Sequence, residues 1–236
     1  MKTAYHRVVL KISGEALAGS KGTGFDFDFI STVCQTVKEA AEAGVQIGIV
    51  IGGGNFWRGV KDGAGKVERV SADRMGMLAT CMNCLAVCDV LRQLGAGARV
   101  MTSVDIMGVG ERYDTRKAIE YMEDGQVVLF AGGTGAPFFS TDTAAALRAA
   151  EIHADAILLA KNIDGVYSAD PRKDPEAVKF DRISYDEVLA RRLAVMDSTA
   201  TSLAMDNEIP VVVFALAQPE NILKVLSGEE VGTTVK

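Results

Sequence analysis

Lys11 closes the apolar run Arg7–Ile12 and leads into a small turn, Ser13-Gly14-Glu15. A lysine in that place can act as a point charge on phosphate, although taken singly it also reads as a surface lysine with its stem laid on the protein. A second apolar run, Val45–Ile51, ends in Gly52-Gly53-Gly54-Asn55, and consecutive glycines let backbone N–H groups approach an anion with no Cβ in the way. A third, Val127–Ala131, runs into Gly132-Gly133-Thr134-Gly135-Ala136-Pro137-Phe138-Phe139-Ser140-Thr141-Asp142. Its amides and the hydroxyls of Thr134, Ser140 and Thr141 can donate, and a helix starting there favours negative charge at its N-terminus. Thr141 or Asp142 serves equally well as that helix's cap. After Ala156–Ala160 come Lys161 and Asn162-Ile163-Asp164-Gly165-Val166-Tyr167-Ser168-Ala169-Asp170-Pro171. Here Tyr167 can lie against a flat base and Asp170 can accept from a hydroxyl or a base. Read jointly, these segments describe one site for two anionic ligands.

Several chemistries are excluded. A P-loop built on Gly65-Lys66 requires Gly at 60 and Ser or Thr at 67, where the chain has Val60 and Val67. No Gly-x-Gly-x-x-Gly follows a strand, which argues against a dinucleotide fold. Cys81, Cys84 and Cys88 could suggest a metal site, but with Met77 and Leu91 they repeat at intervals of four, three, four and three, a helical apolar stripe of core cysteines. The histidines, His6 and His153, have no metal-ligand spacing, so no metal bound directly by side chains is expected.

The elements that position these turns follow from periodicity. Strands are expected at Arg7–Ile12, Val45–Ile51, Arg99–Val104, Val127–Ala131, Ala156–Ala160 and Val211–Phe214. Between them, one helix carries the stripe Ile30, Val33, Val37, Ala40, capped by Asp26 or Asp28 and ended by Gly44. Others are expected from near Ser71, then Thr115–Glu123, Asp142–Glu151, Tyr185–Leu193, Ser198–Asn207 and Pro219–Leu226. Alternation of this kind makes an α/β fold with a mainly parallel sheet, in which ligands sit beyond the carboxyl ends of the strands.

The 236 residues, 48% apolar and 24% charged, suffice for one large domain or two joined lobes. A net charge of −6 excludes a general basic face for nucleic acid. No apolar run approaches the roughly 20 residues of a bilayer span, and Arg7 and Lys11 bracket Val8-Val9-Leu10 too closely for a signal peptide. Four cysteines, three of them crowded, make no disulfide framework. The expectation is a cytoplasmic protein without a membrane span.

Leu10-Lys11-Ile12-Ser13-Gly14-Glu15-Ala16-Leu17, Val50-Ile51-Gly52-Gly53-Gly54-Asn55, Asp73-Arg74-Met75-Gly76-Met77-Leu78-Ala79-Thr80, Gly133 to Asp142 and Asp164 to Pro171 occur in this order. In that combination, nearly end to end, the sequence closely resembles the bacterial UMP kinases of the amino-acid-kinase fold. The resemblance implies a three-layer α/β/α open sheet in a single domain over residues 1–236. Its N-terminal part would mainly bind UMP and oligomerise, and its C-terminal part would mainly bind ATP. The implied reaction moves the γ-phosphoryl group of Mg-ATP to UMP, with Mg²⁺ held through the nucleotide phosphates.

By motif position, Lys11, Ile12, Ser13, Gly14, Gly54, Arg58, Tyr167 and Asp170 fall on the ATP side. Lys161 takes a further ATP position by spacing back from Tyr167, and Asn162 fits it equally by residue type. Gly53, Asp73, Thr134, Gly135, Ala136, Pro137, Phe138, Phe139, Ser140 and Thr141 fall on the UMP side. Gly19, Ser20, Lys21, Gly22, Thr23 and Gly24 align with a loop tied in the family to activation by GTP, with UTP as the expected inhibitor and a homohexamer as the expected assembly. Because a UMP phosphate is mostly dianionic at neutral pH, with a second pKa of ~6, no strong base is needed and positioning should dominate. Lys11 is then the stabiliser of the transferring phosphoryl and Arg58 a second positive group. Asp142 orients Lys11 or holds Mg²⁺ through water, while Asp197 either cooperates there or caps the next helix. The rival readings are another kinase of the same fold and a nucleotide-binding or storage protein without turnover.

Overall fold

The computed structural model describes residues 3–58 and 65–236. The strands are β1 (Arg7–Ile12), β2 (Gln46–Ile51), β3 (Ala98–Thr102), β4 (Glu111–Arg112), β5 (Val127–Ala131), β6 (Ala156–Lys161), β7 (Val166–Tyr167), β8 (Lys179–Phe180), β9 (Arg182–Ile183), β10 (Val211–Ala215) and β11 (Thr233–Val235). Nine of them form one sheet in the order β4-β3-β5-β2-β1-β6-β10-β11-β9, while β7 and β8 pair separately. All neighbours in the large sheet run parallel except β10 and β11. β1 is central: Leu10 lies between Ile49 of β2 and Leu158 of β6, and Lys11 between Val50 and Leu159.

The helices are α1 (Gly14–Ala18), α2 (Phe27–Glu42), α3 (Arg69–Gln93), α4 (Thr115–Glu123), α5 (Thr141–Glu151), α6 (Tyr185–Ala190), α7 (Ser198–Asp206) and α8 (Asn221–Leu226). Side chains alternate across a strand, so β1 feeds two cores. Val8, Leu10 and Ile12 join Ile30 and Val33 of α2, Cys81, Cys84 and Cys88 of α3, and Ile222 of α8. Val9 joins Met122 of α4, Ala145 and Ala149 of α5, Val188 of α6 and Ala204 of α7. Helices therefore cover both faces, the expected three-layer arrangement. Lys11 shares the face of Val9, toward α5.

Asp26 caps α2 by accepting from the Phe29 amide. All four cysteines are buried, and burial pushes the Cys34 thiol up to about 12. α3 starts at Arg69, ahead of the expected Ser71, and its 25 residues are long and apolar enough to cross a membrane by length and composition. Half of its most apolar window is buried inside the fold. β3 stops at Thr102 rather than Val104 because the Thr102 hydroxyl accepts from the Val104 amide and donates to its carbonyl, closing a turn. α6 ends at Ala190, where Arg192 turns left-handed at φ 51° and Leu193 N–H bonds back to Val188. α8 begins at Asn221, after a turn that includes Pro219.

Candidate functional site

The carboxyl ends of β5, β2, β1 and β6 lie side by side, bringing the predicted turns to one sheet edge. Lys11, 8% exposed, points toward the start of α5, where its ammonium meets Asp142 Oδ1 at 2.5 Å. That oxygen is sealed from solvent and makes no aligned hydrogen bond. Lys161 ends the neighbouring β6, its ammonium donating to the Val195 carbonyl. Burial lowers its pKa, with Asp142 opposing and Lys11 reinforcing the shift. Two lysines on adjacent strands and the carboxylate at the start of α5 thus form a mixed-charge cluster.

The start of α5 is capped and tied to α7. Ser140 accepts from the amides of Asp142 and Thr143 at 2.9 and 3.1 Å and donates to Asp197 Oδ2. Asp197 also accepts from the Thr143 hydroxyl and from the Ala200 amide at 2.9 Å. Its oxygens are therefore engaged in tying the starts of α5 and α7 together, which favours the capping alternative for Asp197.

Two cavities flank this cluster. The larger, about 590 Å³, is lined by Lys11, Ser13, Lys161, Asn162, Tyr167 and Asp170, so both candidates at 161 and 162 face the same space. Ser13 also caps α1 through the Ala16 amide. The Tyr167 hydroxyl donates to Asp164 at 2.8 Å, which raises the phenol's pKa. Burial pushes Asp164 up, yet hydrogen bonds from Tyr167 and Lys179 hold it lower overall. The Arg172 amide lowers the pKa of Asp170.

The smaller cavity, about 210 Å³, is lined by Gly53, Asp73, Thr134, Ala136, Phe139, Ser140 and Thr141. Asp73 receives a two-oxygen contact from Arg69 Nε at 2.9 and 2.8 Å and accepts from the Phe138 amide at 2.8 Å. Phe138 holds a left-handed φ of 71°, with the Arg69 guanidinium 5.2 Å from its ring. Gly135 must be glycine, because at φ 80° a Cβ would lie 2.9 Å from the Ser103 carbonyl oxygen.

Ile12, Gly14, Gly54, Arg58, Gly135, Pro137, Phe138, Asp142 and Asp197 line neither cavity. Ile12 is 0% exposed, so only its backbone can serve a ligand. Gly14 is where β1 meets β2, and Gly54 lies beside Glu15 and Arg58. Arg58 pairs with Glu15 at 2.5 Å and donates to the Gly54 carbonyl at 3.3 Å. The Gly19–Gly24 loop joins the same edge: Thr23 Oγ1 donates to the Asn55 carbonyl and Asn55 Nδ2 to the Gly24 carbonyl, both at 2.9 Å.

Sequence reasoning missed Glu15, Arg191 and Arg192 in the larger cavity and Trp57, Thr80 and Gly133 in the smaller. Gly133 and Glu15 lay inside quoted motifs and were within reach. Thr80 closes the Asp73–Thr80 motif and was within reach as well, whereas Trp57 gave no signal, since a loop tryptophan reveals a lining role only once α3 is placed.

The amino acid kinase family matches residues 6–215. A uridylate kinase of Limosilactobacillus reuteri is 55% identical over 233 residues, covering 98% of this chain and 97% of that protein. The UMP kinase structure from Bacillus anthracis superposes with a TM-score of 0.95 at 36% identity, covering 98% of this chain and 96% of that one. The structure of UMP kinase from Ureaplasma parvum gives 0.92 at 34%, covering 100% and 99%. With a strand-end site and likeness running through the whole sheet, this chain belongs to the amino acid kinase family.

Proposed function

We infer that the protein is a UMP kinase, transferring the γ-phosphoryl group of ATP to UMP to give UDP and ADP. The observation that carries this reading is the Lys11–Asp142 pair at the head of α5, between a cavity of about 590 Å³ for the larger nucleotide and one of about 210 Å³ for the smaller. Thr141 lines the acceptor side while Asp142 pairs with Lys11, which lines the donor side. Donor and acceptor thus meet where backbone amides and both lysines converge.

In this reading Lys11 shifts from Asp142 to the transferring phosphoryl and stabilises its charge. Lys161 and Arg58 add positive potential, and the glycine-turn amides act as donors already in place. Ser13 and Gly14 approach the ATP phosphates, Gly54 borders them, and Asn162, Tyr167 and Asp170 take the nucleoside end. Asp73, Gly53 and the run Thr134 to Thr141 hold UMP. In this reading Mg²⁺ is carried by the nucleotide phosphates. When bound, Mg²⁺ would neutralise charge on those phosphates, and Asp142 would be the carboxylate to hold it through water.

We also assign regulation and assembly. The Gly19–Gly24 loop would respond to GTP, with Asn55 its link to the triglycine turn, while UTP would compete through the groups it shares with UMP. Met75, Leu78, Met82 and Leu85, spaced three and four apart on α3, are each at least 40% exposed. This stripe suits a homo-oligomer, up to a hexamer, formed through the N-terminal part. Buried thiols fit a cytoplasmic site of action.

The test is ADP release from Mg-ATP with UMP, CMP, dCMP, AMP, glutamate or carbamate as acceptor, each with and without GTP. UMP-dependent turnover with little activity on CMP is expected. Turnover on glutamate or carbamate alone would overturn the acceptor, and nucleotide binding without turnover on any acceptor would leave a binding protein.

A further inference from the structure

Arg148, on α5 but remote from the phosphate end, is 3% exposed and has no part in the transfer described above. Burying a guanidinium is costly unless its donors are matched, and here the two Nη groups are matched while the buried Nε has no hydrogen-bond partner among the described residues. Arg148 meets Glu151 through Nη1 and stacks 3.8 Å from the centre of the Tyr113 ring. The Tyr113 hydroxyl donates to the same Glu151 at 2.7 Å, so the cation is held from two sides. Its Nη2 donates to Ser103 Oγ at 3.0 Å, and that hydroxyl donates to the Gly133 carbonyl at 2.9 Å.

Donation runs one way, from cation to hydroxyl to carbonyl, and each bond polarises the next. Its end point matters. Gly133 lines the smaller cavity and sits at φ 60°, between Gly132 at 78° and Gly135 at 80°. Open to many conformations, such glycines need outside contacts to choose one. On the opposite side the Gly132 amide donates to Thr80 Oγ1 at 2.9 Å. Because the peptide is planar and trans, fixing the Gly133 carbonyl also fixes the direction of the Thr134 N–H, and Thr134 lines the cavity as well.

We propose that Arg148 is a positioning residue for the acceptor: through Ser103 it fixes the Gly133 carbonyl and thereby the glycine turn that forms one wall of the UMP cavity. This rests on the reading of that cavity as the UMP site. Ser103→Ala breaks the chain at its middle, and Arg148→Lys keeps the charge without the fork that spans Glu151 and Ser103.

The experiment measures kcat, both KM values and melting temperature for Ser103→Ala, Arg148→Lys and the double variant. UMP binding is read separately from the emission of Trp57, the only tryptophan and a lining residue of the same cavity. Ser103→Ala is expected to raise the UMP KM and the Trp57-reported Kd about five- to twentyfold, with kcat and the ATP KM within about twofold. The double variant should bind UMP no worse than the weaker single one, since both changes cut the same chain. A UMP KM within twofold for Ser103→Ala, even with a lowered melting temperature, would overturn the proposal. So would single effects that multiply in the double variant. If Arg148→Lys does not fold, Ser103→Ala decides by itself. An unaltered chain that neither turns over UMP nor changes its Trp57 emission would overturn the acceptor reading along with the inference.

Discussion

Lys11 and Asp142 illustrate how much a single contact can settle. An ammonium enclosed to 8% exposure is expensive without a counter-charge, and Asp142 supplies one in the absence of phosphate. Lys11→Ala should lower kcat by roughly 10²–10³-fold with less than threefold change in UMP binding by Trp57 emission. Unchanged turnover would remove Lys11 from the catalytic list. Lys161 has a separate signature. Its pKa lies below the ordinary 10.5 because of burial, so the charged form is lost before that value and kcat should fall on an early alkaline limb. Lys161→Arg should move this limb to higher pH. Between the folded and unfolded values the unfolded chain holds the extra proton, so Lys161's contribution to stability increases with pH across that window. Lysines, glycines and hydroxyls at strand ends were legible in the sequence because their residue types already imply phosphate chemistry. The link of Asp197 to Ser140 and Thr143 was not, since it joins positions more than fifty residues apart.

Elements were readable in proportion to their length. β1, β5 and α4 have the bounds the sequence predicts, because apolar runs of six and five residues and a nine-residue amphipathic stretch carry several periods of pattern. β4, β7, β8 and β9 have two residues each and β11 three, too few for any period. β4, β9 and β11 exist because neighbouring strands offer edges to pair with, while β7 and β8 pair only with each other. The segments that follow β1 and β2 meet closely: a Cβ on Gly14 would sit 2.3 Å from the Gly52 carbonyl oxygen and 2.6 Å from Asn55 Oδ1. Two of those neighbours are backbone or locked in the buried Asn55–Asn83 amide pair, so the strain cannot be relieved by a side-chain shift. Gly14→Ala should cost about 1–3 kcal/mol in calorimetric unfolding and raise the ATP KM. A variant with unchanged melting and unchanged KM would show that the turn is more pliable than this geometry.

For the whole molecule, α3 has two roles. Its buried side carries the cysteine stripe of one core, and its outer side presents Met75, Leu78, Met82 and Leu85. The sequence disclosed the first stripe by its period. The second was hidden, because an apolar residue carries the same mark whether it faces the core or the surface. Leu78→Glu is expected to shift the sedimentation of the protein to smaller species while leaving the fold intact by circular dichroism. An unchanged mass would free that face from any part in assembly.

The central place of β1 carries a consequence for biosynthesis. Lys11 leaves the ribosome well before its strand neighbour β6 and its partner Asp142, which follow about 130 to 150 residues later. Pairings so distant in sequence close slowly. Helices on the nascent chain can form early, but the charge cluster is assembled only when β6 docks beside β1. During refolding from denaturant, recovery of phosphoryl transfer should therefore trail the recovery of helical signal, and a chain truncated before β6 should gain helix without gaining activity.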